Sequence, residues 1–354
     1  MVILDFSQPG KSTYNTFNEF FNSRFRQEFV GMEVNKIKKI ARIALKVFGI
    51  NSIIRNRTSH MPRIIMYHGF CKIGTKYMEC MPIDQFRKHL CYIKKNFSTF
   101  KVSELVSARK LNGFYPEKSV AVTIDDGYED FYHFALPLLQ EYDIPATIFV
   151  VTDLVEKNDW MWPDKFQYVM ECSRKATNEI NSVKSKDLLT NLKNLPVNER
   201  NNFLKDIAEQ FAVTIPREPP QKFKLMSWNQ LYDLTKTGLM EIGSHSCTHP
   251  IMSHLNSQES WYEINQSKNK LREKLDLDVT SFCYPNGQIG DYLDNQKEML
   301  KKAGYLCGVA SHFGYVSNKS DTYSLPRIVG VKRDFSLFAK FIDGIDYFQK
   351  KVKS

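Results

Sequence analysis

Short apolar runs alternate with helix-like stretches over most of the chain, and this alternation constrains the fold more than any other feature. Apolar runs of four to six residues are typical of strands that are buried on both faces. Strands separated by helices in this rhythm pair in parallel, in an open sheet or a closed barrel. The sequence therefore predicts an α/β fold. The predicted strands cover residues 63–68, 120–124, 146–151, 240–243, 279–284, 305–310 and 325–329.

The predicted helices begin and end at residues that favour helix termini. Ser103 is predicted to cap a helix that ends near Gly113, and Ser227 with Gln230 forms a predicted capping box. A C-terminal glycine, Gly238, follows the second of these helices. The predicted helices cover residues 84–96, 103–113, 132–142, 227–237, 257–275, 296–303 and 335–345.

Two adjacent carboxylates, Asp125 and Asp126, directly follow the predicted strand at residues 120–124. Adjacent residues of an extended chain point to opposite sides, so one carboxylate can bind a cation while the other faces another part of the pocket. In a hydrolytic metal site, the second carboxylate takes a proton from water. A simple turn after a core strand, with Gly127 at the tight position, explains the same residues without any chemistry. Taken alone, the stretch favours the simple turn.

His245 and His249 follow another apolar run, at residues 240–243. Two histidines four residues apart lie on one face if the segment is helical, and this arrangement suits two nitrogen ligands of one divalent cation. Two unrelated loop histidines are the alternative. The combination with Asp126, each group directly after a predicted strand, is more specific than either motif. Asp126, His245 and His249 would hold a cation and leave positions open for water and substrate.

The order of these motifs resembles the polysaccharide deacetylases of the NodB-homology type, also called carbohydrate esterase family 4. The motifs are Thr-x-Asp-Asp-Gly at residues 123–127, His-Ser-x-x-His at 245–249 and Tyr-Pro-x-Gly at 284–287. The resemblance spans about residues 63–345. Further matching stretches indicate the branch that includes poly-N-acetylglucosamine deacetylases and deacetylases of surface-glycan assembly. These stretches are residues 66–68, 144–147, 225–228 and 324–328.

The resemblance implies a distorted barrel of about seven parallel strands, similar to an incomplete TIM barrel. It implies removal of N-acetyl groups from a glycan that contains N-acetylhexosamine, either a polysaccharide or a lipid-linked precursor. It also implies one divalent metal, with Zn²⁺ preferred and Co²⁺, Ni²⁺ or Mn²⁺ as alternatives. At the matching positions Asp126, His245 and His249 are metal ligands and Asp125 is the base. The backbone N–H of Asn286 is the candidate oxyanion donor.

Three positions depart from the commonest family pattern. Residues 325–327 read Leu-Pro-Arg where most members have a Leu-x-His acid, and His68 matches the acid of the poly-N-acetylglucosamine branch. A core histidine is the alternative for His68. Cys283 stands where many members have an arginine that steadies the catalytic aspartate, and Arg327 is the candidate replacement. Asn286 stands in place of an aromatic residue, which changes how a sugar stacks.

Residues 153–225 interrupt the alternation and are predicted to form a helical insertion over the C-terminal rim of the sheet. Trp160 and Trp162 at its start, together with Tyr284 and Pro285, are candidate substrate contacts through stacking on sugar rings. Packing in the core is the alternative for the tryptophans, and the sequence favours it for Trp162.

The chain divides into an N-terminal arm with a basic helix at residues 1–58, a catalytic domain at 59–348 and a basic tail at 349–354. Its formal charge of +10 is compatible with an anionic partner, but no nucleic-acid-binding motif is present. The amphipathic stretch at residues 33–57 either lies on an anionic membrane or packs on the domain. Its basic residues are Lys36, Lys38, Lys39, Arg42, Lys46, Arg55 and Arg57.

Cytoplasmic location, with peripheral contact at the inner face of the membrane, is the expectation from targeting signals and cysteines. Residues 1–30 contain no apolar core of a signal peptide, and no apolar run is long enough to span a membrane. Seven cysteines without a CxxC pair favour reduced thiols. Two alternatives to the deacetylase remain: a metal-dependent amidase or esterase on a non-sugar substrate, and an inactive carbohydrate-binding relative. The second conflicts with the intact Asp125, Asp126, His245 and His249.

Overall fold

The computed structural model describes residues 50–72, 80–177, 182–331 and 334–347. The predicted arm at residues 1–31, most of the predicted basic helix and the tail at 349–354 lie outside the described residues. The described ranges contain all the predicted strands and every candidate site residue. The fold and the site are therefore described from these ranges.

Seven parallel strands close into a barrel, as the family resemblance implies. The strands of the described ranges are β1 Arg63–Tyr67, β2 Phe70–Cys71, β3 Met81–Pro82, β4 Ser98–Phe100, β5 Ser119–Ile124, β6 Ala146–Val150, β7 Met240–Ser244, β8 Ser281–Cys283, β9 Cys307–Phe313 and β10 Leu325–Val329. Paired neighbours follow the order β1, β10, β9, β8, β7, β6 and β5, and β5 pairs again with β1 to close the ring. Strand β4 adds to the first half of β5, and β2 pairs with β3 separately.

The register of the strands brings their carboxyl ends to one rim of the barrel. All six residues of β5 are buried, as expected for a strand with β1 and β6 beside it and helices outside the barrel. Thr123 pairs with Met66 of β1 and with Thr147 of β6. The loops that follow these strands therefore begin side by side, and functional residues of such barrels lie on loops at this rim.

Helices surround the barrel and follow most of its strands. Those of the described ranges are α1 Ile50–Arg57, α2 Ile83–Asn96, α3 Val102–Asn112, α4 Leu136–Glu141, α5 Thr152–Lys157, α6 Trp162–Thr177, α7 Ser182–Asn194, α8 Val197–Gln210, α9 Trp228–Lys236, α10 Ser257–Leu275, α11 Asp294–Lys302 and α12 Phe335–Ile342. A π-helical turn, Phe131–Ala135, precedes α4. The predicted Ser227–Gln230 capping box begins α9, and Gly113 ends α3 with a φ of 82°.

The prediction that Ser103 caps α3 is wrong, because the helix begins one residue earlier, at Val102. The first free N–H groups of the helix bond to neighbouring strands instead of a capping side chain. The N–H of Val102 donates to the Thr147 hydroxyl at 3.0 Å, and that of Ser103 donates to the Glu241 carboxylate at 3.2 Å. Tertiary contacts thus satisfy these two groups, while the Glu104 carboxylate accepts a local hydrogen bond of 2.9 Å from the N–H of Lys101.

The insertion after β6 is helical, as predicted, and comprises α5 to α8 and a short 3₁₀ turn, Gln221–Phe223. It has a small apolar core of its own, in which Trp162 and Phe166 of α6 pack with Leu204 and Ile207 of α8. This core gives the insertion a fixed shape over the rim of the barrel. Several of its side chains line the pocket described below.

The described end of the predicted basic stretch, helix α1, packs on the catalytic domain. Asn51 and Arg55 each donate a hydrogen bond of 2.8 Å to the buried carboxylate of Asp343, which follows α12. The Tyr92 hydroxyl donates to the same carboxylate at 2.6 Å. Packing on the domain therefore holds for this end of the stretch, while residues 33–49 lie outside the described ranges.

The expectation that all cysteines are reduced is wrong for two of them. Cys71 and Cys80 form a disulfide that joins β2 to the residue before β3. The sequence missed this pair because the two cysteines are nine residues apart and carry no motif. The other five cysteines are free thiols, three of them buried. None of the described helices is both long and apolar enough for a membrane span.

Candidate active site

A pocket of about 430 Å³ opens at the carboxyl rim of the barrel. Its walls are formed by residues in or after β1, β5, β7, β8, β9 and β10 and by side chains of the insertion. Eight predicted site residues line it: His68, Asp125, Asp126, Trp162, His245, His249, Pro285 and Asn286. The other three, Trp160, Tyr284 and Arg327, are buried and do not line this pocket.

Asp126, His245 and His249 form a compact cluster in the pocket. Oδ1 of Asp126 lies 3.3 Å from Nε2 of His245 and 3.4 Å from Nε2 of His249. All three residues are buried. Two imidazole nitrogens and a carboxylate oxygen that converge on one point are a donor set for a divalent cation.

A loop, not a helix, brings the two histidines together, so the helical condition under which their spacing was considered does not hold. Ser246 and His249 have φ values of 67° and 58°, in the left-handed region. Glu263 of α10 holds this loop in place. Its carboxylate accepts hydrogen bonds from the N–H groups of Cys247 at 2.7 Å and Thr248 at 3.0 Å, and from the Thr248 hydroxyl at 2.6 Å.

Hydrogen bonds behind the cluster orient its donor atoms. Nδ1 of His245 donates to the Cys283 carbonyl at 2.8 Å, which leaves the lone pair of Nε2 directed at Asp126. Nδ1 of His249 is buried and has no partner among the described residues. Burial alone would raise the pKa of Asp126, but its close contacts with the His245 and His249 imidazoles hold it well below its ordinary value. The carboxylate is therefore ionised, as a metal ligand must be.

Arg327 and Asp125 form a buried, bidentate ion pair. Nη1 and Nη2 of Arg327 each lie 2.7 Å from one carboxylate oxygen of Asp125. Burial alone would raise the pKa of Asp125, but the guanidinium charge reverses this and holds the pKa below its ordinary value. The Cys283 sulfur lies 3.2 Å from Nη2. The guanidinium thus comes from β10 and lies beside the cysteine that stands at the usual arginine position.

His68 lies at the mouth of the pocket, directly after β1. Its Nε2 is 3.8 Å from Oδ2 of Asp125, and 44% of its side chain is exposed. This exposure rules out the core alternative for His68. The buried histidine of this region is His89, whose Nδ1 lies 2.9 Å from the Tyr67 hydroxyl.

The turn after β8 contributes backbone and side-chain atoms to the pocket wall. Pro285 and Asn286 line the pocket, whereas Tyr284 is fully buried and donates its hydroxyl to the Tyr323 carbonyl at 2.9 Å. Asn286 has a φ of 59°. The N–H of Asn286 has no hydrogen-bond partner among the described residues, while that of Gly287 donates to the Pro285 carbonyl. The free N–H is the one predicted as an oxyanion donor.

The positions of the two tryptophans are the reverse of what the sequence suggested: Trp160 lies in the core and Trp162 lines the pocket. Trp160 is only 1% exposed, packs against Tyr168 and Phe223, and does not line the pocket with the cluster. Trp162, for which the core was favoured, lines the pocket although 91% of its surface is covered. The Arg200 guanidinium lies 4.5 Å from its ring centre.

The pocket lining also includes residues that the sequence did not single out, among them Tyr128, Asp130, Asp164 and Lys193. Tyr128 and Asp130 come directly after the Asp-Asp-Gly turn, so their closeness to Asp126 along the chain was an available signal. Asp164 and Lys193 belong to the insertion. No local pattern indicates that these two side chains fold back over the rim.

The barrel thus carries at its carboxyl rim a cluster of three residues, Asp126, His245 and His249, that could hold a divalent cation. The family model for polysaccharide deacetylase matches residues 113–308, more than half of the chain. The chain therefore belongs to the polysaccharide deacetylase family, and it is a hydrolase of amide bonds.

Named relatives and solved structures agree with this family. The chain is 24% identical over 272 residues to the poly-beta-1,6-N-acetyl-D-glucosamine N-deacetylase of Staphylococcus epidermidis, across 74% of this chain and 72% of that protein. The Streptococcus pyogenes deacetylase PplD in complex with acetate is similar at a TM-score of 0.56 and 19% identity, over 79% and 98% of the two chains. IcaB from Ammonifex degensii has a TM-score of 0.52 and 16% identity, over 80% and 97%. At these identities the structures support the fold.

Proposed function

We propose that the protein is a metal-dependent N-deacetylase that acts on a glycan containing N-acetylglucosamine, with β-1,6-linked polymers as the first candidate. One observation carries the chemistry: a carboxylate held ionised by Arg327 stands beside the three-residue cluster in a single pocket. The substrate class rests on the family and on the named Staphylococcus epidermidis relative. The chain's own residues must then supply proton transfer and orientation.

Asp126, His245 and His249 fit one divalent ion. Two imidazoles and one carboxylate match the ligands of catalytic Zn²⁺, and Co²⁺, Ni²⁺ or Mn²⁺ accept the same donors. When bound, the ion polarises the acetyl carbonyl and lowers the pKa of a water molecule to about 7. The Cys283 carbonyl supports this assignment, because it fixes the imidazole of His245 in the tautomer that a ligand needs.

Four side-chain and backbone groups would carry out the rest of the reaction. Asp125 accepts a proton from the attacking water as the water oxygen bonds to the acetyl carbon. The Asn286 N–H donates a hydrogen bond to the acetyl oxygen as negative charge develops on it. His68 gives a proton to the sugar nitrogen as the carbon–nitrogen bond breaks, and acetate and the free amine leave. Arg327 positions Asp125 and keeps it ionised.

Acetate release by the full chain tests this proposal. The substrates are β-1,6-linked and β-1,4-linked N-acetylglucosamine oligosaccharides and an N-acetylated amino acid. Asp125→Asn is the matched control, because it has the same shape and leaves the three ligands in place. We expect release from a sugar substrate by the wild type, and loss of at least about 100-fold in the variant, as for removal of a general base.

The outcomes separate the alternatives. Release from the amino acid alone would favour an amidase on non-sugar substrates. No release from any substrate, with the metal bound, would favour an inactive relative. Wild-type rates in Asp125→Asn would refute the assigned base.

We also propose a cytoplasmic location with peripheral contact at the inner face of the membrane, through residues 33–49 of the predicted 33–57 stretch, because Asn51 and Arg55 bind the domain. Each basic residue near an anionic surface contributes about 1 kcal/mol, and salt screens the attraction over about 8 Å. Replacing Lys36, Lys38, Lys39, Arg42 and Lys46 with Gln should abolish low-salt sedimentation with anionic liposomes. A wild-type chain that stays in the supernatant would refute the membrane contact. The Cys71–Cys80 disulfide is typical of oxidising compartments and opposes this location, so free thiols should be counted in protein from its native cell.

A further inference from the structure

The insertion places a buried carboxyl group on the wall of the pocket. Asp164 lies in the first turn of α6, lines the pocket and is only 6% exposed. The Tyr128 hydroxyl lies 2.9 Å from one of its carboxylate oxygens and 3.0 Å from the other. The described residues provide no other hydrogen-bond partner for this carboxyl. Because a hydroxyl has one proton, it serves one of the two oxygens at a time.

A buried carboxyl with so few partners needs another hydrogen-bonding group. Buried polar groups are satisfied almost without exception, because leaving one unpaired costs free energy. Burial raises the pKa of Asp164, and the nearby Asp126 carboxylate raises it further. Whether Asp164 is ionised or neutral, its remaining hydrogen-bond partner must come from the pocket, because Tyr128 is the partner that the protein itself provides. A hydroxyl group fits both states, since it can donate and accept.

We propose that Asp164, held by Tyr128, determines specificity by hydrogen bonding a hydroxyl group of the hexosamine whose acetamide lies beside Asp125 and Asp126. This proposal rests on the proposed function. A sugar ring carries hydroxyl groups on several sides of its acetamide, and one of them faces the wall that the insertion provides. An aryl acetate has the same acetyl group but no such hydroxyl. Asp164 should therefore affect binding of the sugar and leave the chemistry of the acetyl group unchanged.

The experiment compares Asp164→Ala with the wild type on two kinds of substrate. One is a β-1,6-linked N-acetylglucosamine disaccharide, with analogues that each lack one hydroxyl group, and the other is 4-nitrophenyl acetate. Asp206→Asn is the control, because Asp206 is an exposed acid on α8 of the same insertion. Tyr128→Phe tests the support of Asp164. Bound metal is measured in every variant, so that a disturbed ligand cluster is recognised.

We expect Asp164→Ala to raise the KM for the disaccharide about tenfold, as for loss of a hydrogen bond that leaves its buried partner unsatisfied. Its kcat, its metal content and its KM for 4-nitrophenyl acetate should stay within twofold of the wild type. For one deoxy analogue, the KM with the wild type should be as high as the KM of the parent disaccharide with Asp164→Ala. The variant should have the same KM for this analogue and for the parent disaccharide. Tyr128→Phe should raise the same KM by a smaller factor.

Three results would overturn the proposal. The first is an unchanged KM for the disaccharide in Asp164→Ala. The second is an equal loss on both substrates, which would assign Asp164 to the packing of the pocket. The third is full discrimination among the deoxy analogues by the variant. A wild-type chain that releases acetate from no sugar would overturn the proposed function as well. The three results above, obtained with an active wild type, would overturn only the role of Asp164, so the two failures are distinguishable.

Discussion

Replacing Arg327 with Met removes the charge that balances the buried Asp125. The guanidinium makes two 2.7 Å contacts with the carboxylate and donates further hydrogen bonds to Thr123 and Ala310. Removing one partner of a buried ion pair leaves the other charge uncompensated and costs about 3–5 kcal/mol. We therefore expect Arg327→Met to lower the free energy of unfolding by about this amount. Urea unfolding of metal-free protein in the presence of a chelator measures it.

The pH dependence of this loss identifies its cause. In the wild type the pKa of Asp125 is lowered, so its stabilising effect is present above the unfolded pKa and is lost as pH falls through the folded value. In Arg327→Met the guanidinium no longer opposes the effect of burial, so the folded pKa of Asp125 should rise. The destabilisation by Arg327→Met should then be largest at pH 7 and shrink as pH falls towards about 4, the pKa of aspartate in the unfolded chain.

A double-mutant cycle with Asp125→Asn completes this test. In Asp125→Asn the side chain at position 125 carries no charge, so Arg327→Met leaves no buried carboxylate without its partner. In this background Arg327→Met should therefore lower the free energy of unfolding by about 1–3 kcal/mol less than in the wild type. A loss below about 1 kcal/mol for Arg327→Met, or the same loss at pH 7 and pH 4, would refute the reasoning. Full additivity of the two substitutions would also refute it.

Three further variants test other parts of the structure. His68→Ala should slow amide cleavage by about 10²–10⁴-fold but aryl acetate cleavage far less, because an amine leaving group needs an acid; equal losses in steady-state rates would mean that His68 is not the acid. Asp343→Ala should destabilise the fold by about 3–5 kcal/mol in urea, because it leaves Arg55 unpaired where α1 meets the domain; a change within error would mean that α1 is loosely attached. Gly243→Ala should cost about 1–3 kcal/mol and weaken metal binding at His245, since the added Cβ would lie 2.6 Å from the Phe149 ring; unchanged unfolding and metal titrations would refute this.

The barrel was predictable because its strands have a strong local signal. Buried parallel strands appear as continuous apolar runs, so the run ending at Ile124 was visible without any tertiary information. Helix ends depend more on context. Ser103 has the residue type of a cap, yet α3 starts earlier because Thr147 and Glu241 satisfy its first N–H groups from neighbouring strands.

The candidate site was predictable where its residues directly follow strands. Asp126 and His245 meet because the carboxyl ends of parallel strands share one rim, although the loop geometry of His249 was not predictable from spacing. The role of Arg327 required a long-range guess, and the structure brings its guanidinium to Asp125. Asp164 was not predictable, because its place depends on how the insertion packs over the rim.

Metal-dependent acetate release tests the central claim most directly. The full chain is stripped with a chelator, reconstituted with Zn²⁺ and assayed on the β-1,6-linked oligosaccharide while bound metal is measured. We expect one ion per chain, no acetate release from the stripped protein and recovery in proportion to bound metal. His245→Ala and His249→Ala should each lose the metal and the activity together, with His133→Ala, an exposed histidine outside the pocket, as the control. Undiminished acetate release from the stripped protein, or no metal binding by the wild type at neutral pH, would contradict the account.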